Sequence, residues 1–153
     1  MATGGAVWQP RAMAAPTHRV VTVSRDPDGV FTAGNVRGGT LTVGDGTGET
    51  FTPTELLLAA IGACTAIDVA TLTSRRAEPG VFEVQVDAEK VRDDGGNRLQ
   101  DLAVTFRVSF PEGTGGDAAR ELLPEAVRRS HDRLCTVSRT VELGTPVAAR
   151  VVG

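Results

Sequence analysis

The pattern of apolar and polar positions places short strands on either side of one long apolar helix. His18 to Arg25 (HRVVTVSR) alternates with a period of two, the spacing of a half-buried strand. Asp26-Pro27-Asp28-Gly29 carries turn residues. Val30 to Ala33 and Thr40 to Val43 read as further short strands, separated by Gly34, Asn35, Gly38 and Gly39. Gly44 to Gly48 reads as a loop. Thr52 to Ala77 then has the features of a helix. Thr52 and Glu55 have capping-box spacing, and Pro53 suits the first helical position, where its missing N–H costs nothing. Pro79-Gly80 provides the stop. From Leu56 to Ile67 the segment is apolar almost all round. That predicts a central helix buried on most sides.

The second half returns to period two. Val81, Glu83, Gln85 and Asp87 alternate with Phe82, Val84, Val86 and Ala88 in a strand expected to run to Arg92. Leu99 to Phe110 reads as the returning strand, with Leu102, Val104, Phe106, Val108 and Phe110 on one face. Asp93 to Asn97 joins the two as a turn longer than the two-residue type. Asp117 is expected to cap a second helix reaching about Arg133, kinked or restarted at Pro124. Thr140 to Val152 reads as a final strand, broken at Gly144 to Pro146. Runs of strands with helices set between them predict an α+β fold. Residues 18–153 form a single domain in this reading, preceded by a loose segment at 1–17.

Composition narrows the class. With 41% apolar and 23% charged residues among 153, the chain is ordinary for one soluble domain. A net charge of −3 and no basic stripe argue against a nucleic-acid partner. The longest uninterrupted apolar run, Leu56 to Ala63, falls short of the roughly 18 residues needed to span a bilayer. The N-terminal stretch has no basic region followed by an apolar one, as a signal peptide would. No membrane association is therefore expected, and the cytoplasm is the expected location.

The candidate chemistry lies in two cysteines. In a reducing compartment two such residues are either small buried hydrophobes or a redox pair. Cys64 sits mid-helix among Ala59, Ala60, Gly62 and Ala63, which leave room around a thiol. Gly62 costs about 1 kcal/mol against Ala in a helix, and a glycine there permits close approach of another element. An apolar setting alone would raise the thiol pKa, so reactivity calls for a nearby cation. Asp68, one turn on, shares the thiol's face. It reads as a partly buried, hydrogen-bonded carboxylate whose charge opposes thiolate formation. Cys135 has a more polar setting, with His131 four residues before it. A zinc site built from Cys64, Cys135, His131 and His18 lacks any short Cys-x-x-Cys pair. The glycines from Gly44 to Gly48 lack the Lys and following helix of a phosphate loop.

Two segments carry a resemblance. Pro53-Thr54-Glu55-Leu56-Leu57-Leu58-Ala59-Ala60-Ile61-Gly62-Ala63-Cys64-Thr65-Ala66-Ile67-Asp68-Val69 resembles the central helix of the OsmC/Ohr family of organic hydroperoxide resistance proteins. His131-Asp132-Arg133-Leu134-Cys135-Thr136-Val137-Ser138 resembles that family's second cysteine segment. The resemblance implies a two-layer α+β fold with antiparallel sheets, and an intertwined homodimer. It also implies a peroxidase that reduces organic hydroperoxides without metal or cofactor. Cys64 would attack the peroxide and Cys135 would close a disulfide with it. A dithiol, lipoyl-linked in some members, would restore both thiols. An arginine would favour the thiolate, with a glutamate holding it. Arg37 is the first choice for the arginine, ahead of Arg25 and Arg139, and Glu55 is the glutamate.

The chain departs from the family's peroxidase pattern at one place. The glutamate there follows the proline directly, whereas here Thr54 takes that position and Glu55 comes one residue later. Nine residues before Cys64, Glu55 faces the opposite side of a continuous helix. A role beside Cys64 would need an irregular first turn or a second chain. Two further readings keep the fold but not the turnover: a protein that binds a small lipid-like molecule, and a redox sensor that oxidises once.

Overall fold

The computed structural model describes residues 17–152. All but the last residue of the expected loose segment at 1–17 lies outside the described residues. The described chain forms two compact units, meeting at Pro53 and Thr54.

The first unit is an antiparallel meander of three strands, β1 (Val21–Arg25), β2 (Phe31–Asn35) and β3 (Thr40–Val43), in sequential order. The Asp26–Gly29 turn joins β1 to β2. Gly29 adopts φ +91°, a left-handed conformation that side chains resist, and its N–H donates to the Asp26 carbonyl. Between β2 and β3 the Asn35 side chain accepts from the backbone N–H groups of Arg37 and Gly39. Register pairs Val23 with Ala33, and Ala33 with Leu41. Val21, Val23, Phe31 and Leu41 therefore share one face of the sheet. All four are exposed, and no described residue of this unit is fully buried.

The second unit contains helix α1 (Pro53–Thr73), the hairpin β4 (Val81–Asp93) and β5 (Gly96–Ser109), helix α2 (Thr114–Arg129), a π-helical turn (Ser130–Leu134) and helix α3 (Thr136–Glu142). The hairpin follows its sequence pattern. Phe82, Val84, Val86 and Ala88 are half-buried while Val81, Glu83, Gln85 and Asp87 are exposed. Asp93 pairs with Gly96, so the connection is the two-residue Asp94-Gly95, tighter than the loop expected from sequence. The Asp93 carboxylate explains the tightness, accepting from the Gly95 N–H at 2.9 Å and from Arg98 Nε at 2.7 Å. The register slips by one residue between Asp87 and Glu89. There Asp101 takes φ +53°, one of the few conformations in which a short polar side chain replaces glycine.

α1 ends at Thr73, a turn before the predicted Ala77. Its buried residues are Ile61, Gly62, Thr65, Val69 and Thr73, a single stripe at helical spacing. Leu57 and Ile67 remain exposed, Ile67 at 66%. The helix is thus covered along one side of this chain, not on most sides as its composition suggested. Its most apolar 18 residues have a mean hydropathy of 1.9, so α1 is long and apolar enough to cross a membrane although its uninterrupted apolar runs are short. Its one buried stripe approaches β4 of the same unit. A Cβ at Gly62 would stand 2.9 Å from Val86 Cγ2, so the missing side chain sets how closely α1 lies on β4.

α2 differs from expectation at both ends. Gly113, not Asp117, occupies the N-cap, and Asp117 sits in the first turn paired with Arg120. The helix runs through exposed Pro124 without restarting and changes register only at Ser130. The final strand expected over Thr140–Val152 is absent. Its first residues belong to α3, and 145–152 follow without regular structure. Cys135 accounts for the helix locally, since it stands at the N-cap and its sulfur accepts from the Ser138 N–H. The α+β class with antiparallel sheets is as expected, while the third α-helix is not.

Replacing Gly62 with Val tests the helix–sheet contact. The added atoms meet Val86, and overpacking of this kind costs about 1–3 kcal/mol. Denaturant titration should show that loss for Gly62→Val, and partial recovery when Val86→Ala is added.

Candidate active site

α1 presents Cys64 half-buried, on the turn between Ile61 and Asp68. The chain after α2 brings Cys135 to it, fully buried. Both thiols are free, and the two side chains are close enough to interact directly. The connection that makes this possible is the π-helical turn. The Cys135 N–H donates to the Ser130 carbonyl five residues back, at 2.9 Å. One extra residue is accommodated in that turn, and Cys135 leaves the helix at its end in an extended conformation.

Ser130 is anchored in the opposite direction as well. Its Oγ donates to Asp68 Oδ2 at 2.9 Å and lies 2.8 Å from Thr65 Oγ1. Ser130 and Thr65 are both buried. Cys135 is further held by Ser138: Cys135 Sγ donates to Ser138 Oγ at 3.1 Å, and the Ser138 N–H donates back to the sulfur at 3.4 Å.

The electrostatics at Cys64 oppose ionisation. Burial pushes its pKa up, the backbone N–H of Val137 pulls it down, and Cys135 and the Asp68 carboxylate push it up. None of these influences is a cation. Asp68 therefore has both features expected of it, a partly buried hydrogen-bonded carboxylate and a charge that disfavours the thiolate.

The second unit holds a cavity of about 400 Å³ that is lined by neighbours of the cysteines but by neither thiol. Ile61, Leu102, Val104, Phe106 and Val127 give it apolar walls. His131 and Glu142 stand at its polar end, with His131 Nδ1 3.6 Å from Glu142 Oε1. Thr65 and Ser138, which line it too, adjoin the two cysteines in sequence or by hydrogen bond.

The remaining candidates belong to the following elements. Arg37 is exposed in the β2–β3 turn of the first unit. Arg25 ends β1 in that unit, its guanidinium lying over Gly29. Arg139 belongs to α3 and donates to the Asp132 carbonyl at 3.0 Å. Glu55 is exposed in the first turn of α1. That helix is regular from Pro53, so Glu55 lies about 13 Å along the axis from Cys64 and on the opposite face. Among the described residues, no group of three or more His, Cys, Asp and Glu is placed to hold a metal ion.

Sequence reasoning did not single out Ser130, Ser138 or Val137. Ser130 gives no local signal, because its role depends on a π-turn that no spacing rule anticipates. Thr65 did leave a trace: with Thr73 it is one of two hydroxyl residues in an otherwise apolar stripe.

Comparison with known proteins places this arrangement in context. The family model described as OsmC-like protein matches residues 46–150. A hypothetical protein from Aquifex aeolicus has a similar structure, with a TM-score of 0.65 at 19% identity over 84% of this chain and 89% of that one. An OsmC-like protein of unknown function from Vibrio cholerae gives 0.64 at 12% identity, covering 82% and 92%. The organic hydroperoxide resistance protein OhrB of Bacillus subtilis gives 0.52 at 19% identity, covering 82% and 92%. At these identities the likeness is one of fold. No curated protein matched the chain. The family model spans most of the chain, including both cysteines, and the chain belongs to the OsmC-like protein family.

Proposed function

We propose that the protein is a thiol-dependent peroxidase that reduces organic hydroperoxides. The observation that carries this reading is the meeting of two free cysteines, one half-buried on α1 and one buried after α2, whose neighbours Thr65 and Ser138 line a largely apolar cavity. The Cys64 thiolate takes the terminal oxygen of the hydroperoxide, the O–O bond breaks, and the alcohol leaves with a proton. The resulting sulfenic acid condenses with the Cys135 thiol, releasing water and forming the disulfide. A dithiol then reduces that disulfide and is itself oxidised. An organic group on the peroxide would lie against Ile61, Leu102, Val104 and Phe106. No metal or cofactor enters the chemistry, and a reducing cytoplasm suits the resting dithiol.

Arg37 remains the proposed activating cation and Glu55 its carboxylate partner, on the strength of the family resemblance. Because Glu55 faces away from Cys64 of its own helix, its proposed role belongs to a homodimer in which a second chain supplies it. The exposed apolar side of α1 and the open face of the β1–β3 sheet favour such a dimer, because a three-stranded sheet with one apolar face needs covering to be stable. A one-shot redox sensor is the second reading. The feature in its favour is a Cys64 thiol held in its protonated form by burial and by Asp68.

Dithiothreitol-dependent consumption of cumene hydroperoxide separates these readings. Continuous turnover is expected for the wild type and none for Cys64→Ser. Oxidation that halts after one equivalent, with the dithiol present, would reject the peroxidase in favour of the sensor. Cys135→Ser should retain the first oxidation and lose recycling, with mass spectrometry finding Cys64 carried on to sulfinic acid in excess peroxide.

The pH dependence has a defined sign. A raised pKa means that little thiolate is present near pH 7, so the rate of the first oxidation should climb through and beyond the ordinary thiol range. Asp68→Asn removes a negative charge that opposes ionisation. Its rate–pH profile, measured by single-turnover thiol loss, should lie at lower pH than that of the wild type.

A further inference from the structure

Ser130 connects the two cysteine-bearing elements through every polar group it has. Its N–H donates to the carbonyls of Ala126 and Val127, finishing α2. Its carbonyl accepts the Cys135 N–H. Its hydroxyl donates to Asp68 and meets Thr65, residues that follow Cys64 on α1 within one helical turn. The side chain is completely buried. No solvent can replace these bonds, so losing one leaves a polar group unpaired in the interior. Other residues of the turn hold no such position: His131, Asp132, Arg133 and Leu134 are all exposed.

We infer that Ser130 is a positioning residue for disulfide closure, setting Cys135 against Cys64 through the Asp68–Ser130–Thr65 hydrogen-bonded chain. The inference rests on the thiol-peroxidase reading but concerns its second step. When Cys64 sulfenic acid condenses with the Cys135 thiol, an S–S bond forms, the S–O bond breaks, and the hydroxyl leaves as water with the thiol proton. That step is a first-order encounter of two groups in one chain, and its rate depends on how narrowly their separation is held. Oxidised glutathione drives the same closure without peroxide: both protein thiols are oxidised to the disulfide, and one oxidised glutathione becomes two reduced molecules. Asp68 thus has two separable effects. Its charge acts on Cys64, and its oxygen anchors Ser130. Asparagine removes the first and keeps an acceptor for the second.

The test is the equilibrium between the full-length protein and a glutathione redox buffer at pH 7, read by mass spectrometry as the fraction of Cys64–Cys135 disulfide. At that pH the raised pKa keeps Cys64 protonated, so changes in its acidity contribute little. Ser130→Ala and Asp68→Ala should each lower the effective concentration of the two thiols by roughly tenfold, the equivalent of one net hydrogen bond. Asp68→Asn should stay within about twofold of wild type. Should Ser130→Ala fail to fold by circular dichroism, the Asp68→Ala and Asp68→Asn pair carries the comparison. Wild-type affinity for the disulfide in folded Ser130→Ala, or equal losses in Asp68→Asn and Asp68→Ala, would overturn the positioning role and leave the peroxidase reading intact. A wild type that forms no Cys64–Cys135 disulfide in oxidised glutathione would overturn both.

Discussion

The second unit depends on a side chain that is missing. Gly62 brings the backbone of α1 against Val86 of β4, and only at that distance does one stripe of the helix meet the sheet. The stripe is narrow and partly polar. Ile61 and Val69 supply its apolar contacts, while Thr65 turns a hydroxyl toward Ser130 and Thr73 returns its own to the Val69 carbonyl. The same packing turns Cys64 toward the segment after α2. Two other glycines at the far end serve a related purpose. A Cβ at Gly115 would stand 2.7 Å from the Arg76 carbonyl oxygen, and one at Gly116 would collide with that of Pro111. α2 can therefore begin beside the end of α1 and run back along it to deliver Ser130 opposite Thr65.

How much of this was legible in the sequence depended on the range of the interactions. The hairpin was legible because alternation in a sheet is a local signal, repeated over a dozen residues. Gly62 and Asp68 could be read because each contradicts the helix that surrounds it. The short helix after Cys135 was missed for a physical reason. Thr136, Val137, Thr140 and Val141 are β-branched and favour strands by propensity, but the sulfur of Cys135 accepts at the first turn and tips the balance. The Asp94-Gly95 turn was misjudged in length because the Asp93 side chain, not the turn pair alone, closes it. The burial of α1 was overstated because composition reports how apolar a helix is, not how many neighbours one chain provides for it.

The π-turn marks the limit of pattern reading. Helical spacing would carry His131 and Cys135 to the same face, one turn apart. The extra residue breaks that relation: Cys135 is buried, while His131 reaches Glu142 at the polar end of the cavity. Pro124, the residue that seemed fit to disturb α2, lies on an exposed face and leaves the helix continuous. The disturbance comes instead at Ser130, where side-chain and backbone demands from two elements coincide.

Keeping Cys64 protonated at rest also bears on selectivity. A thiol with a low pKa is ionised all the time and open to any electrophile that reaches it, including disulfides and alkylating metabolites. In the Cys64 environment burial and the Asp68 charge both favour the neutral form, which is the less reactive one in such encounters. Sulfur held in this way waits for something that favours its ionised form, whether a cation supplied by a second chain or the incoming molecule itself. On the proposed peroxidase chemistry, such a thiol would give up speed for discrimination before any bond is made.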